Sequence, residues 1–222
     1  MHKKEFRGQM SDKMYAAVFV VLSGGFQDAY TFYCRGSVFA NAQTGNVILL
    51  SSALFKGEWS VAVKYLIPLI SFTAGTAVAE FVRHRMQRCQ TFHWRQAITL
   101  GEIALLFSVG FMSNSLDSLA NAVVSFVCAM QLQTFRKVNG HIYASTMCIG
   151  NLRSGTEALC AYIKDHDIAA LKRSLTYYFI IVIFALGAGL GWLAAVNIGI
   201  RSVWICCLLL SINFLMLFVK EK

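Results

Sequence analysis

The stretch Met14–Tyr33 reads MYAAVFVVLSGGFQDAYTFY, twenty residues with one charge, Asp28. A bilayer core needs about 20 helical residues to cross, and lipid offers the backbone no hydrogen-bond partners, so such a run must close its own bonds as a helix. It is too long and too continuously apolar for an alternating barrel strand. Similar runs recur at Val61–Val82, Gln96–Ser113, Leu116–Phe135, Ser174–Val196 and Ile198–Val219, which predicts six transmembrane helices. The first run lacks a small-residue cleavage pattern and reads as a retained helix rather than a removed signal peptide.

Composition agrees. Of 222 residues, 57% are hydrophobic and 14% charged, with 17 Phe and one Pro, against roughly 25% charged residues in soluble domains. Mean hydropathy is +0.56. The net charge of +9 is no nucleic-acid signature, because the charges lie in short segments between apolar runs rather than on one face. The seven cysteines contain no CxxC pair, and Cys206 and Cys207 lie inside an apolar run. There cysteine acts as a small hydrophobe, which with the odd count argues against a disulfide framework.

Orientation follows from the cytoplasmic bias of Lys and Arg in membrane proteins. Six crossings place sixteen basic residues on one side, in the segments before Met14, at Arg83–Arg95, at Arg136–Arg173 and after Val219, and four on the other: Arg35, Lys56, Lys64 and Arg201. Both termini are therefore expected in the cytoplasm. Two further segments, Val38–Phe55 and Ile142–Ile163, are moderately apolar but richer in small and polar residues. A crossing by Val38–Phe55 would move the Arg83–Arg95 loop outside. Each of these segments is thus expected to enter and return, to lie at the interface, or to pack on the bundle without crossing.

The chain then reads as two three-helix repeats of opposite orientation, about 14–113 and 116–219. A shift of 105 positions aligns Gly45-Asn46 with Gly150-Asn151 and Ala53-Leu54 with Ala158-Leu159, and sets Asp28 opposite Gln133. A different offset relates Phe72-Thr-Ala-Gly75 to Phe184-Ala-Leu-Gly187. Identities are few; the order of hydropathy and the shared spacing carry the repeat. Inverted repeats with interrupted segments in matching places are a plan of secondary transporters and point to a site near the repeat interface.

Asp28 is the sharpest chemical signal, since a carboxylate in a membrane helix faces the bundle interior, a partner or water. It either binds a cation or proton, or orients a polar substrate, or lies near the outer interface, pairing with Arg35 or capping the next segment. Thr44-Gly45-Asn46 and Ile149-Gly150-Asn151 come next. Glycine permits a sharp turn and close approach, and asparagine offers donor and acceptor together. If each glycine breaks a helix, freed backbone groups and the amide line a polar site; otherwise the motif is a cap and turn without ligand. Gln27, Asn41, Gln43 and Gln133 are polar neighbours. Glu102 reads as a coupling carboxylate, as a salt-bridge partner of Arg95, or as a side chain snorkelling to the interface. Glu80 beside Arg83 reads as an interfacial ion pair. Small residues four apart, as in Gly187-Ala-Gly-Leu-Gly191, serve close helix packing, and Pro68 is expected to kink its helix.

The histidines His2, His84, His93, His141 and His166 fall in or beside polar segments, and no HExxH, nucleophile or phosphate-loop motif is present. No enzyme activity, cofactor or metal site is expected. At Gly25-Phe-Gln-Asp28-Ala29 and Phe39-Ala-Asn-Ala-Gln-Thr44-Gly45-Asn46 the chain resembles the YoaK family, bacterial membrane proteins with a domain of unknown function numbered 1275. Those members carry G-x-x-D-A followed by F-x-x-x-x-T-G-N. In the second half Gln133 and Gly150 match the family pattern, while Ile149 replaces its threonine and Gln131 its glycine. The resemblance implies a bacterial inner or plasma membrane location and no established activity. The expectation for function is a transporter of a small solute or ion, proton- or cation-coupled through Asp28. The partners are the lipid bilayer, that solute and, given the small bundle, a second copy in a homodimer. The alternatives are a membrane scaffold or regulatory subunit without transport, and a lipid-directed membrane enzyme.

Overall fold

The computed structural model describes residues 14–86, 93–138, 141–142 and 148–218. The basic residues before Met14, Arg88, Lys220 and Lys222, together with His2, lie outside them. The helices are α1 (Met14–Cys34), α2 (Gln43–Phe55), α3 (Trp59–Met86), α4 (Trp94–Val109), α5 (Asp117–Thr134), α6 (Cys148–Asp165), α7 (Ile168–Ile198) and α8 (Val203–Met216). One antiparallel pair of two-residue strands, β1 (Lys137–Val138) and β2 (His141–Ile142), completes the described fold. Among the described residues, three stretches are long and apolar enough to cross a membrane: Trp59–Met86, Asn114–Thr134 and Ile168–Met216, the last running through α7 and α8.

Local chemistry sets the boundaries. His93 caps α4 in a reciprocal box, accepting from Arg95 N while Gln96 accepts from His93 N at 3.0 Å. Asp167 caps α7, accepting from Ala169 N at 2.8 Å; both devices satisfy N–H groups that the first turn leaves unpaired. The cap starts α7 earlier than hydropathy alone does, so Lys172 and Arg173 stand inside the helix. At its far end Gly199, with φ +69°, turns the chain into α8, a conformation glycine adopts freely. α3 runs unbroken through Pro68.

Glycines let the principal helices approach closely. On α1 and α7, a Cβ at Gly191 would lie 2.8 Å from Phe26 O and one at Gly25 2.9 Å from Ala188 N, while on α3 a Cβ at Gly75 would lie 3.0 Å from Ala129 Cβ of α5. Such seams replace hydrophobic driving force by backbone proximity. The contacts also fix direction. Leu22 meets Gly187 and Phe26 meets Gly191, so α1 and α7 run parallel. Gly75 meets Phe126 and Glu80 meets Gln133, so α3 and α5 run parallel. Phe107 stacks on Trp204 and Ile103 meets Cys207, so α4 and α8 are antiparallel. Arg35 meets Asp117 and Val20 meets Gln131, so α1 and α5 are antiparallel.

The same pairings occur in both halves. α1 packs on α7 as α5 packs on α3; α2 on α3 as α6 on α7; α1 on α8 as α5 on α4. The buried centre lies between α1, α4, α5 and α8, where Phe26, Leu106, Val124, Cys128, Cys206 and Leu210 belong to one core cluster.

Candidate functional site

The chain leaves α1 at Cys34 and returns inward before α2 begins. Asn41 Nδ2 donates to Gly24 O at 3.1 Å, and Asn41 N donates to Asp28 Oδ1 at 2.7 Å. Gly24 stands ten residues before the end of α1, a helical rise of about 15 Å. That is half of the roughly 30 Å hydrocarbon thickness. Residues 35–42 therefore descend to the level of the middle of α1, and α2 climbs back from there. Its 13 residues extend only about 20 Å.

Asp28 is 8% exposed and sits at this turning point, where the N–H groups of Ala40 and Ala42 act on the same carboxylate as that of Asn41. An anion beside the free N–H groups of a helix start is favourably placed. The Asn41 Oδ1 beside it is buried without a partner among the described residues. Cys148, the first residue of α6, lies within electrostatic reach of Asp28, so the second short helix also begins near this centre. Asp28 thus lies on α1 against the segment that leads into α2, bonded to Asn41 N and beside the unpaired Asn41 Oδ1. The arrangement suits a proton, a cation or a hydrogen-bond donor.

Gln27 and Gln131 face each other across α1 and α5. Gln27 Nε2 donates to Gln131 Oε1 at 3.0 Å and to Ser23 Oγ at 2.8 Å, Cys128 Sγ donates to Gln27 Oε1 at 2.8 Å, and Gln131 Nε2 donates to Val20 O at 2.6 Å. Gln133, expected as a polar neighbour of Asp28, donates to Glu80 on α3, and Glu80 also pairs with Arg83, as expected, and with His84.

The glycines do not break helices. Gly45 and Gly150 lie within the first turns of α2 and α6, whose N–H groups have no helical partner to lose. The Phe39 ring packs over Gly45. Asn46 is a local brace: its Nδ2 donates to Phe39 O at 2.7 Å and its Oδ1 accepts from Phe39 N at 3.1 Å. Thr44 and Gly150 are exposed, and Asn151 is buried. Glu102 has no bond to Arg95; it is fully buried with both oxygens unpaired among the described residues.

Arg35 belongs with the outer-side charges by hydropathy but is fully buried. Its guanidinium donates to Tyr30 OH at 2.8 Å, Asp117 Oδ1 at 2.9 Å, and the carbonyls of Val109, Met112 and Ser113. It therefore pairs with Asp117 rather than Asp28, and closes the end of α4 against α1 and α5. The signal for its burial is the pair of aromatic and acidic partners, which are distant in sequence.

These features define a helical bundle of membrane-compatible apolar helices with a carboxylate at its centre. The chain belongs to the family described as Protein of unknown function (DUF1275), whose model matches residues 16–216, in agreement with the resemblance carried by the Asp28 and Asn46 motifs. No curated protein and no solved structure matches the chain.

Proposed function

We propose that this protein is a transporter of a small solute or ion in the bacterial cell membrane. It crosses six times, through α1, α3, α4, α5, α7 and α8, as two inverted halves with both termini cytoplasmic. The parallel and antiparallel packing directions are those six crossings require, and the pairings shared by the two halves support the repeat. The basic residues concentrate at the ends this topology assigns to the cytoplasm, as the bias of Lys and Arg demands.

The observation that carries the reading is Asp28, a nearly buried carboxylate held at the tip of a segment that re-enters to mid-bundle. Irregular backbone at that depth is tolerated only where protein or a water-filled cavity surrounds it, and an intramembrane carboxylate marks an ion or substrate path. The test is reconstitution in liposomes holding a pH-sensitive dye, challenged with sodium, potassium, ammonium, amino acids and organic acids. Asp28→Asn preserves shape and is expected to abolish whichever flux the wild type supports. Unchanged flux in the variant refutes the role of Asp28. A wild type inert to the whole panel that co-purifies with one partner protein favours the scaffold reading.

A further inference from the structure

The bundle centre carries polar atoms that no described residue satisfies. On α4, Glu102 is fully buried with both oxygens unpaired, and Thr99 one turn earlier is equally buried with a free hydroxyl. On α5, Ser125 is buried with its hydroxyl unpaired, and on α8 both amide atoms of buried Asn213 are unpaired. α4 packs against both α5 and α8. Leaving buried polar groups unsatisfied is costly, and four such side chains sit on these three helices.

No salt bridge reaches Glu102 among the described residues. From α8 the ionisable neighbours are Cys206 and Cys207, the latter bonded to Ile103 O at 3.7 Å. From α5 it is Cys128, within electrostatic reach of both Glu102 and Asp28. On α3, Glu80, Arg83 and His84 engage one another at the inner end, and Lys64 lies at the outer end beside Tyr65. Arg95 on α4 itself is seven residues away, about 10 Å along the axis. An ionised carboxylate buried without a partner is far costlier than a neutral acid.

We propose that Glu102 is a proton-binding site. Its carboxyl holds a proton in the packed bundle and, when water enters between α4, α5 and α8, the O–H bond breaks, the proton passes to water and the carboxylate remains. Thr99, Ser125 and Asn213 are the groups that then solvate it. On the transporter reading, this is the coupling proton of the central site, and Cys128 lies within electrostatic reach of both carboxylates.

The test is infrared difference spectroscopy of the full-length protein in lipid at neutral pH, in H2O and D2O. The expected result is a protonated-carboxyl C=O band that shifts in D2O, is lost in Glu102→Gln and persists in Asp28→Asn. Glu102→Asp moves the band, which keeps the assignment testable if Glu102→Gln fails to fold. A missing band, one unmoved by either substitution, or one removed by sodium or potassium chloride at constant pH overturns the proposal. The last outcome assigns a metal cation instead. The readout is independent of flux: a band without transport refutes the transporter reading alone, and transport without the band refutes this inference alone.

Discussion

Replacing Arg35 by Met removes the guanidinium while keeping an unbranched chain of comparable reach. Three consequences follow from the contacts. The carbonyls of Val109, Met112 and Ser113 at the end of α4 lose their donors, Asp117 loses its partner at 2.9 Å, and Tyr30 OH keeps only its bond to Ile200 O. Five charge-assisted bonds at about 1.5–3 kcal/mol each would sum to more than such contacts contribute jointly, because they are not additive. The cost of breaking one buried pair, about 3–5 kcal/mol, is the better guide. Asp117 is 28% exposed and recovers part of its solvation, which sets the expectation near the lower end, about 3 kcal/mol. Asp117→Asn alone leaves the other four donations of Arg35 in place and should cost about 1 kcal/mol. The double variant should lose less than the sum of the two, since the second change removes an acid already unpaired. The assay is SDS-induced unfolding in mixed micelles, read by tryptophan fluorescence. Trp204 reports on this region because its indole donates to Phe107 O at 3.1 Å and stacks on Phe107. A loss below about 1 kcal/mol for Arg35→Met, or strict additivity with Asp117→Asn, refutes the claim that Arg35 ties α1 to α4 and α5.

Two further outcomes follow from the geometry. Gly187→Leu drives its side chain into the Leu22 backbone, where a Cβ already lies 2.9 Å from the carbonyl carbon, and should cost at least about 1–3 kcal/mol. Gly189→Ala, two residues on with nothing within 4 Å, should be neutral or stabilise by up to about 1 kcal/mol; equal effects in the same SDS titration would refute the α1–α7 seam. In intact cells with an impermeant thiol reagent on a cysteine-free background, cysteines at Ser37 and Ser52 should label, while a restored Cys160 and Lys172→Cys should not, all four being exposed. Labelling at Cys160 or position 172 breaks the inverted topology.

The all-helical character, the long apolar helices and the shorter segments between them were legible from the sequence, and Asp28 and Glu102 stood out in it. Hydropathy reports which residues cannot face water, and a carboxylate inside an apolar run is conspicuous for the same reason. The glycine spacing at Gly187 and Gly191 likewise identified a packing seam, because small residues matter wherever two backbones meet. What the linear order could not supply was the rotation of each helix about its axis and its choice of neighbour. That Gln27 meets Gln131 while Gln133 donates to Glu80 depends on those rotations. Arg35 was indistinguishable from an outer-loop charge until α1, α4 and α5 converged on it. For Val38–Phe55 the sequence left entry and return as one of three options; the contact of Asn41 with Gly24 selects among them, since hydropathy measures affinity for lipid and not depth within a bundle. Those features depend on which side chains meet across elements remote in the chain, and tertiary packing alone decides that.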